Sequence, residues 1–256
     1  MAVLTAGGAP QLTLAEFQAR VSIAPVVTNL STQTSRDSIV IARINLVQDV
    51  DLSVTGNVKV TATGRVFLGS EGSVQVSQIL AGDAVNGQQA RIKVGESILR
   101  SGASDDLIRS ADLVLEAGNG SIGTRALPVL IDLVGGGVLT ARAKADVRLV
   151  ETVGDLRIAS VFSAAGGAYL ATRSGSIVDG VGSDFVKVKA NLIRLDAVGG
   201  GIGEAGDYLD IDVSVAPGTS VDESGILLGT VTATASGSIR LSETAGDMNI
   251  RNIYSS

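Results

Sequence analysis

Short bursts of alternating apolar and polar residues recur along most of the chain. The segments VKV (58–60), IKV (92–94) and VRL (147–149) each place a polar side chain between two aliphatic ones. Because successive side chains of a strand point to opposite faces, we expect one face of each burst to be buried and the other solvated. Gly, Asp, Asn or Ser comes after each burst, as turns require. Strands this short do not suit an ordinary β-sandwich, and they predict the sides of a coil.

An internal repeat accompanies these bursts. Residues 145–163 align without gaps with residues 237–255, and residues 104–123 align with 183–203 after one insertion. A weaker relative of the first block begins at Gly64. The repeats therefore start near 64, 145 and 237, which is natural in a solenoid because each turn contacts only its neighbours. The identical pairs in the first alignment are Arg148/Arg240, Leu149/Leu241, Glu151/Glu243, Thr152/Thr244, Gly154/Gly246, Asp155/Asp247, Ile158/Ile250 and Ser163/Ser255.

These two patterns predict an all-β fold, a parallel β-helix (solenoid) over residues 36–256. Hydrophobic residues make up 45% of the chain but aromatic residues only 3%, so the core consists mainly of Val, Ile, Leu and Ala. Such side chains pack well when each turn lies about 4.8 Å above the last. Gly and Asn suit the corners, where a positive φ is often needed. With about 20 to 25 residues per coil, the segment predicts roughly ten coils.

Residues 1–35 form a separate N-terminal segment. Thr13 and Glu16 have the spacing of a capping box, which predicts a short helix near 13–21. One interpretation is an amphipathic cap over the open strand edges of the first coil. The alternatives are a loosely attached leader or another irregular coil.

The composition excludes several classes of function. The chain has no His and no Cys, which removes Ser–His and Cys–His nucleophile pairs and zinc sites of the usual nitrogen and sulfur type. Its net charge is −6 and its basic residues are scattered singly, which argues against a nucleic-acid partner. No apolar run is long enough to predict a membrane-spanning helix.

The two termini indicate that the chain is part of a longer protein. Residues 1–5 lack the basic end and apolar run of a secretory signal, so either a signal was removed or the chain is an excised piece. Residues 252–256 lie inside a repeat. We therefore expect a neighbouring segment to continue the stack.

The repeat phrases resemble a known family. The phrases ADLVLEAGNGSIGT, GAYLATRSGSIVDG and TATASGSIRLSETAGDMNI resemble the repeats of filamentous-haemagglutinin-like large exoproteins and giant adhesins of Gram-negative bacteria. The resemblance covers roughly residues 36–256. It implies an elongated right-handed parallel β-helix, export across the outer membrane, and attachment to cells, surfaces or matrix. The secretion-domain motifs of that family are not visible in this chain.

Residues 201–206 spell GIGEAG, a literal GxGxxG motif, with Asp222 further along the chain. A dinucleotide site requires a helix to begin there, so that its N-terminus meets the pyrophosphate. The next residues, 207–213, alternate like a strand, and 118–123 has the same place in the repeat without the full motif. We therefore interpret the glycines as a coil corner.

The tripeptide Arg91-Ile92-Lys93 resembles one found in polygalacturonases, enzymes that share the β-helix fold, and Asp105-Asp106 could supply paired carboxylates for glycosidic cleavage. That family also has an essential His, and its doublet precedes the tripeptide. This chain has no His and the reverse order. We therefore favour an outward Arg91 and Lys93 flanking an inward Ile92, and keep the polysaccharide-degrading enzyme as the weakest alternative.

Three carboxylates are candidate calcium ligands. Asp210 and Asp212 share the outward face of a predicted strand, Asp207 lies just before it, and carboxylate oxygens suit Ca²⁺. The GGxGxD repeat of calcium-binding β-rolls is missing. The favoured interpretation is a solvated acidic face that discourages edge pairing. We expect no other cofactor.

The function expected from these patterns is non-catalytic. The chain is interpreted as a structural or adhesive segment of an exported bacterial surface protein, holding a binding surface for a glycan, a protein or another surface on a stiff rod. The alternative is a self-assembling extracellular filament or surface-layer subunit, whose partners are copies of itself.

Overall fold

The predicted parallel β-solenoid is confirmed. A computed structural model describes residues 50–51, 56–83, 85–213, 220–223 and 225–256. These residues form parallel strands stacked in about 8 turns, with no helix among them. In chain order the strands are β1 (Val50–Asp51), β2 (Asn57–Ala62), β3 (Val66–Ser70), β4 (Val74–Ala81), β5 (Ala90–Val94), β6 (Ile98–Arg100), β7 (Leu107–Ser110), β8 (Leu113–Ala117), β9 (Val129–Leu133), β10 (Leu139–Ala143), β11 (Val147–Glu151), β12 (Leu156–Ser163), β13 (Gly167–Thr172), β14 (Ile177–Asp179), β15 (Val188–Ala190), β16 (Leu192–Ala197), β17 (Leu209–Val213), β18 (Val231–Ala235), β19 (Leu241–Glu243) and β20 (Ile250–Ser255).

The strands lie in two sheets that form the long sides of the coil. Sheet A has the order β1-β3-β5-β8-β10-β12-β15-β17-β19, and β14 pairs with the first half of β12. Sheet B has the order β2-β4-β7-β9-β11-β13-β16-β18-β20, and β6 pairs with the first half of β4. The chain thus alternates between the sheets and returns one rung further along the axis. The helix predicted near 13–21, within the segment 1–35, lies outside the described residues.

Aliphatic side chains stack in register through the interior, as predicted. One such row crosses five successive rungs of sheet A, and each of its side chains is at most 2% exposed. Burying a Val, Leu or Ile side chain contributes about 1.5–3 kcal/mol. This row consists of Leu68, Ile92, Leu115, Ala141 and Val161.

Bridges between single residues extend the stacking at two corners of the coil. Single residues bridge successive turns there in parallel, and the neighbouring glycine corners leave little space for a side chain. The stack Ile98–Ile122–Val147 lies where the chain passes from sheet A to sheet B, and the stack Ile177–Ile202–Ile239 lies where it passes from sheet B to sheet A.

The sequence repeat corresponds to three and a half turns of the coil. The first repeat begins at β3, and seven ladder strands, β3–β5 and β7–β10, come before the second repeat begins at β11. Seven more, β11–β13 and β15–β18, come before the third repeat begins at β19. Each set also contains one additional short strand, β6 or β14. Because seven is odd, each repeat begins on the opposite sheet from the one before: β3 in sheet A, β11 in sheet B and β19 in sheet A.

Fewer turns form than the roughly ten predicted from a typical coil length. Residues 36–49 lie outside the described part of the chain. The turn that joins Leu209 to its partner Leu241 also includes residues 214–230, which makes it longer than a typical coil. Within the part of the chain that the structure describes, no helix is long and apolar enough to cross a membrane.

Candidate functional site

A groove of about 450 Å³ lies on the outer face of sheet B and is the candidate site. Its floor consists of outward side chains from β11, β13 and β16. Arg148, Tyr169 and Arg194 are paired across these strands in one row, and a parallel row carries Val150, Ala171 and Asp196. Neighbouring rungs of a parallel sheet lie about 4.8 Å apart, so the groove offers functional groups at a regular spacing.

One wall of the groove is the corner that precedes β9. Gly123 turns the chain there with a φ of 72°, in the left-handed region that favours glycine. Thr124 closes the turn, since its hydroxyl accepts a hydrogen bond of 3.0 Å from the Leu127 amide. Thr124, Arg125 and Pro128 then face the groove.

The other wall belongs to the connection between β17 and β18. The Asp222 carboxylate accepts a hydrogen bond from the Ile226 amide at 2.8 Å, and the Asp222 backbone carbonyl accepts one from the Gly225 amide at 3.0 Å. These two bonds order this wall. Arg125 donates to the Glu223 carbonyl at 3.1 Å, which ties the two walls together. Ile226 faces the groove.

Arg148 fastens this second wall to the sheet. Its Nη2 lies 2.9 Å from Asp146 Oδ2 and 2.8 Å from Glu223 Oε1. Its guanidinium carbon lies 3.5 Å from the ring centroid of Tyr169. Two carboxylates and an aromatic face therefore surround one guanidinium, whose side chain is only 7% exposed. We call Arg148, Asp146, Tyr169, Asp222 and Glu223 the clasp.

Tyr169 serves the clasp as a neutral donor. Its hydroxyl donates to Asp222 Oδ2 at 2.6 Å. Burial raises the pKa of Tyr169, and the hydrogen bond to Asp222 raises it further. The phenol therefore keeps its proton at neutral pH and holds the Asp222 carboxylate in place.

Arg194 and Asp196 are the charged groups of the floor that lie outside the clasp. Both lie on the outward face of β16; Arg194 is exposed and Asp196 half-buried. Among the described residues, Arg194 has no ion-pair partner. A planar guanidinium beside a carboxylate can bind polar groups such as carboxylates and hydroxyls.

No family model, curated protein or solved structure matches this chain significantly.

Sequence reasoning did not find this groove. Arg148 and Arg240 are identical in the repeat, yet only Arg148 is in a clasp, and Ser238 stands where the first copy has Asp146. Tyr169 and Glu223 reach Arg148 only through the stacking of turns. The available signal was the departure from the repeat at Asp146.

The GxGxxG segment forms a coil corner, as predicted. Ile202 bridges two neighbouring turns, and Gly203 comes next with a φ of 66°. A Cβ on Gly203 would lie 2.2 Å from the Arg240 carbonyl oxygen, so this corner requires glycine. A strand, β17, begins at Leu209, where a dinucleotide site would need a helix.

The polygalacturonase-like tripeptide and the Asp105-Asp106 doublet lie on different sheets. Arg91 and Lys93 flank the buried Ile92 on β5 of sheet A, as predicted, and both lie within 4 Å of Glu116. The doublet precedes β7 of sheet B. There Asp105 pairs with Lys59 at 3.2 Å, whereas the buried Asp106 accepts Arg100 Nε at 3.1 Å and the Gly102 amide at 2.6 Å. Each carboxylate of the doublet thus has a partner of its own.

The three calcium candidates are only partly brought together. Asp210 and Asp212 lie on β17, alternating with inward Leu209 and Ile211 as predicted, and Asp212 is paired with Lys189. Asp207 belongs to the preceding corner, where its backbone bridges Glu204. Both strand carboxylates are buried, so the expected solvated acidic face is wrong. The described residues contain no group of three or more metal-ligating side chains, and calcium binding stays a prediction.

Proposed function

We propose that this chain is a non-catalytic, adhesive segment of an exported bacterial surface protein, of the filamentous-haemagglutinin-like kind that its repeat phrases resemble. The groove on sheet B is its ligand-contacting surface. The ligand class follows from the floor: Arg194 and Asp196 would bind the polar groups of a glycan or protein lying along the rungs.

The clasp is the observation that carries this proposal. Arg148, Tyr169, Asp222 and Glu223 bond to one another, so these groups stabilise a wall and are not poised for proton transfer. A wall fixed before the ligand arrives lowers the ordering cost of binding. The stack of parallel strands beneath it supplies the stiffness that a display surface needs.

A binding assay with matched arginine variants tests the proposal. The purified chain, Arg194→Ala and Arg142→Ala are applied to immobilised glycans and matrix proteins. Arg142 is the control because it lies on the outer face of sheet A, away from the groove. A charge-assisted hydrogen bond contributes about 1.5–3 kcal/mol, so Arg194→Ala should weaken binding about ten- to a hundredfold and Arg142→Ala should not.

Two results would contradict the proposal. Equal loss of binding in both variants would remove the groove as the contact surface. Shortening of a bound glycan during incubation, detected by chromatography of the products, would show that the segment is catalytic.

A further inference from the structure

Two neighbouring loops in the middle of the stack carry exposed aromatic side chains. Phe185, 81% exposed, lies in the loop 180–187 between β14 and β15. Tyr208, 52% exposed, lies in the loop 203–208 of the next turn. The loops lie side by side, since a Cβ on Gly182 would be 4.0 Å from Asp207 Oδ2. We call the loops 180–187 and 203–208 the knob.

A buried ion pair holds the knob in one shape. Lys187 is 1% exposed, and its Nζ lies 2.9 Å from Asp179 Oδ2. The same ammonium donates to the Phe185 carbonyl at 2.6 Å and to the Ser183 hydroxyl at 3.1 Å. Asp179 in turn accepts the Val181 amide at 2.7 Å. Phe185 is therefore an aromatic anchor whose backbone is fixed in advance, which lowers the ordering cost of a contact.

The outer surface of the knob is acidic as well as apolar. Asp184 and Glu204 are exposed and Asp207 is half-buried, whereas the single cation of the knob, Lys187, is buried and paired. None of these three carboxylates has an ion-pair partner among the described residues. The surface that complements the knob is therefore apolar with an available cation.

The groove on sheet B has both properties. Arg194 is exposed on its floor, and apolar groups of Val150, Ala171 and Ile226 line it. The walls of the groove lie at the corner where the chain passes from sheet A to sheet B, and the knob lies at the opposite corner. A chain cannot place its own knob in its own groove, so the contact has to join two copies.

We propose that the knob of one copy docks in the sheet B groove of a second copy, with Phe185 against the apolar lining and Asp184 beside Arg194. Because the contact joins two different surfaces, copies add side by side into rows or rings. The inference rests on the proposed role of the groove as a contact surface, and a docked knob and a bound ligand would exclude each other.

Sedimentation velocity and electron microscopy at increasing concentration test the contact. The unmodified chain should associate side by side. Phe185→Ala removes the central aromatic anchor and should raise the dissociation constant about thirtyfold. Val85→Ala is the control, because Val85 is 77% exposed on a corner loop five strands away in sheet order and outside both surfaces. Far-UV circular dichroism checks that both variants are folded.

A charge exchange tests the pairing itself. Asp184→Arg and Arg194→Asp each place like charges in the contact, so each variant alone should associate at least about tenfold more weakly. In an equimolar mixture, the altered knob meets the altered groove and the unaltered knob meets the unaltered groove. The mixture should therefore associate nearly as well as the unmodified chain, which misfolded variants would not do.

Three outcomes overturn the proposal: a single rod at every concentration, equal effects of Val85→Ala and Phe185→Ala, or a mixture that associates no better than its components. Phe185→Ala leaves the groove intact and should still bind the glycans and matrix proteins that the unmodified chain binds. Ligand binding without self-association would therefore overturn docking alone, and self-association without ligand binding would overturn the proposed adhesive function alone.

Discussion

The two copies of the repeat, β11–β12 inside the stack and β19–β20 at its end, make the same bonds to the turn before them. The Thr152 and Thr244 hydroxyls donate to the carbonyls of the preceding rung, at 2.8 and 3.2 Å. Ser163 and Ser255 donate to the corner carbonyls at 2.7 and 2.8 Å. The identical polar residues thus anchor each copy to its predecessor, whatever lies on the other side.

The copies differ in whether a further turn covers them. Inside the stack, Glu151 and Ser163 are fully buried, whereas Glu243 is half-buried and Ser255 exposed. The local sequence therefore specifies a bond to the previous turn, and the next turn specifies burial. Matched substitutions in the two copies separate these contributions.

The largest expected difference concerns the core isoleucines. Ile158→Asp buries an unpaired carboxylate beneath the next coil and should cost more than about 4 kcal/mol, enough to unfold that part of the stack. Ile250→Asp leaves its carboxylate at an exposed position and should cost less than about 1 kcal/mol. Thermal melts and limited proteolysis measure both. Equal losses would mean that the two copies are buried alike.

Glu151 should make stability depend on pH. Burial raises its pKa to about 8, although the amides of Val153 and Leu133 donate to it and oppose the shift. The pKa of Glu151 is higher in the folded state than its unfolded value of 4.5. The contribution of protonated Glu151 to the free energy of unfolding is therefore full below pH 4.5 and is lost as pH rises through about 8. Within that window the free energy of unfolding falls by up to about 1.4 kcal/mol per pH unit.

Glutamine variants isolate this effect. Glu151→Gln should flatten the pH dependence measured by urea denaturation and be more stable than the unmodified chain at pH 8. Burial also raises the pKa of Glu243, where the Val213 amide donates at 3.2 Å, so Glu243→Gln should act in the same direction but more weakly. A larger effect at Glu243 than at Glu151 would contradict this interpretation.

The clasp should distinguish the two arginines. Arg148→Lys loses the planar stacking on Tyr169 and the geometry that joins Asp146 to Glu223, and should cost about 1–2 kcal/mol. Arg240 occupies the same place in the repeat but lacks those partners. Arg240→Lys should therefore lower the free energy of unfolding by less than about 0.5 kcal/mol. Urea midpoints compare the variants, and similar shifts would show that the clasp adds nothing.

The sequence predicts the coil well because its determinants are local. Alternation of aliphatic residues fixes which side chains point inward, and Gly154 and Gly246 mark equivalent corners with φ of 84° and 86°. No described non-glycine residue has a positive φ, so the asparagines expected to share this role do not. The half-turn phase of the repeat depends on the lengths of the loops between strands, which alternation does not encode.

The groove was not predictable in the same way. Arg148 and Arg240 have nearly the same local sequence, and the partners that distinguish them, Tyr169 and Glu223, come from later turns. A partner supplied by stacking leaves no spacing motif in the chain. The calcium hypothesis had the opposite weakness: the spacing of Asp210 and Asp212 was visible, but their neighbour Lys189 was not.

The smallest expected difference lies in the paired serines, where the comparison is most closely matched. Ser163→Ala leaves the Ala145 carbonyl and the Gly166 amide, which lies 3.0 Å from the Ser163 hydroxyl, without their partner in a buried corner. It should cost about 1 kcal/mol. Ser255→Ala removes the same bond to Gly237 where water can replace it, and should cost no more than about 0.3 kcal/mol. Urea midpoints measure both costs, and equal costs would mean that the two corners are equally closed to water.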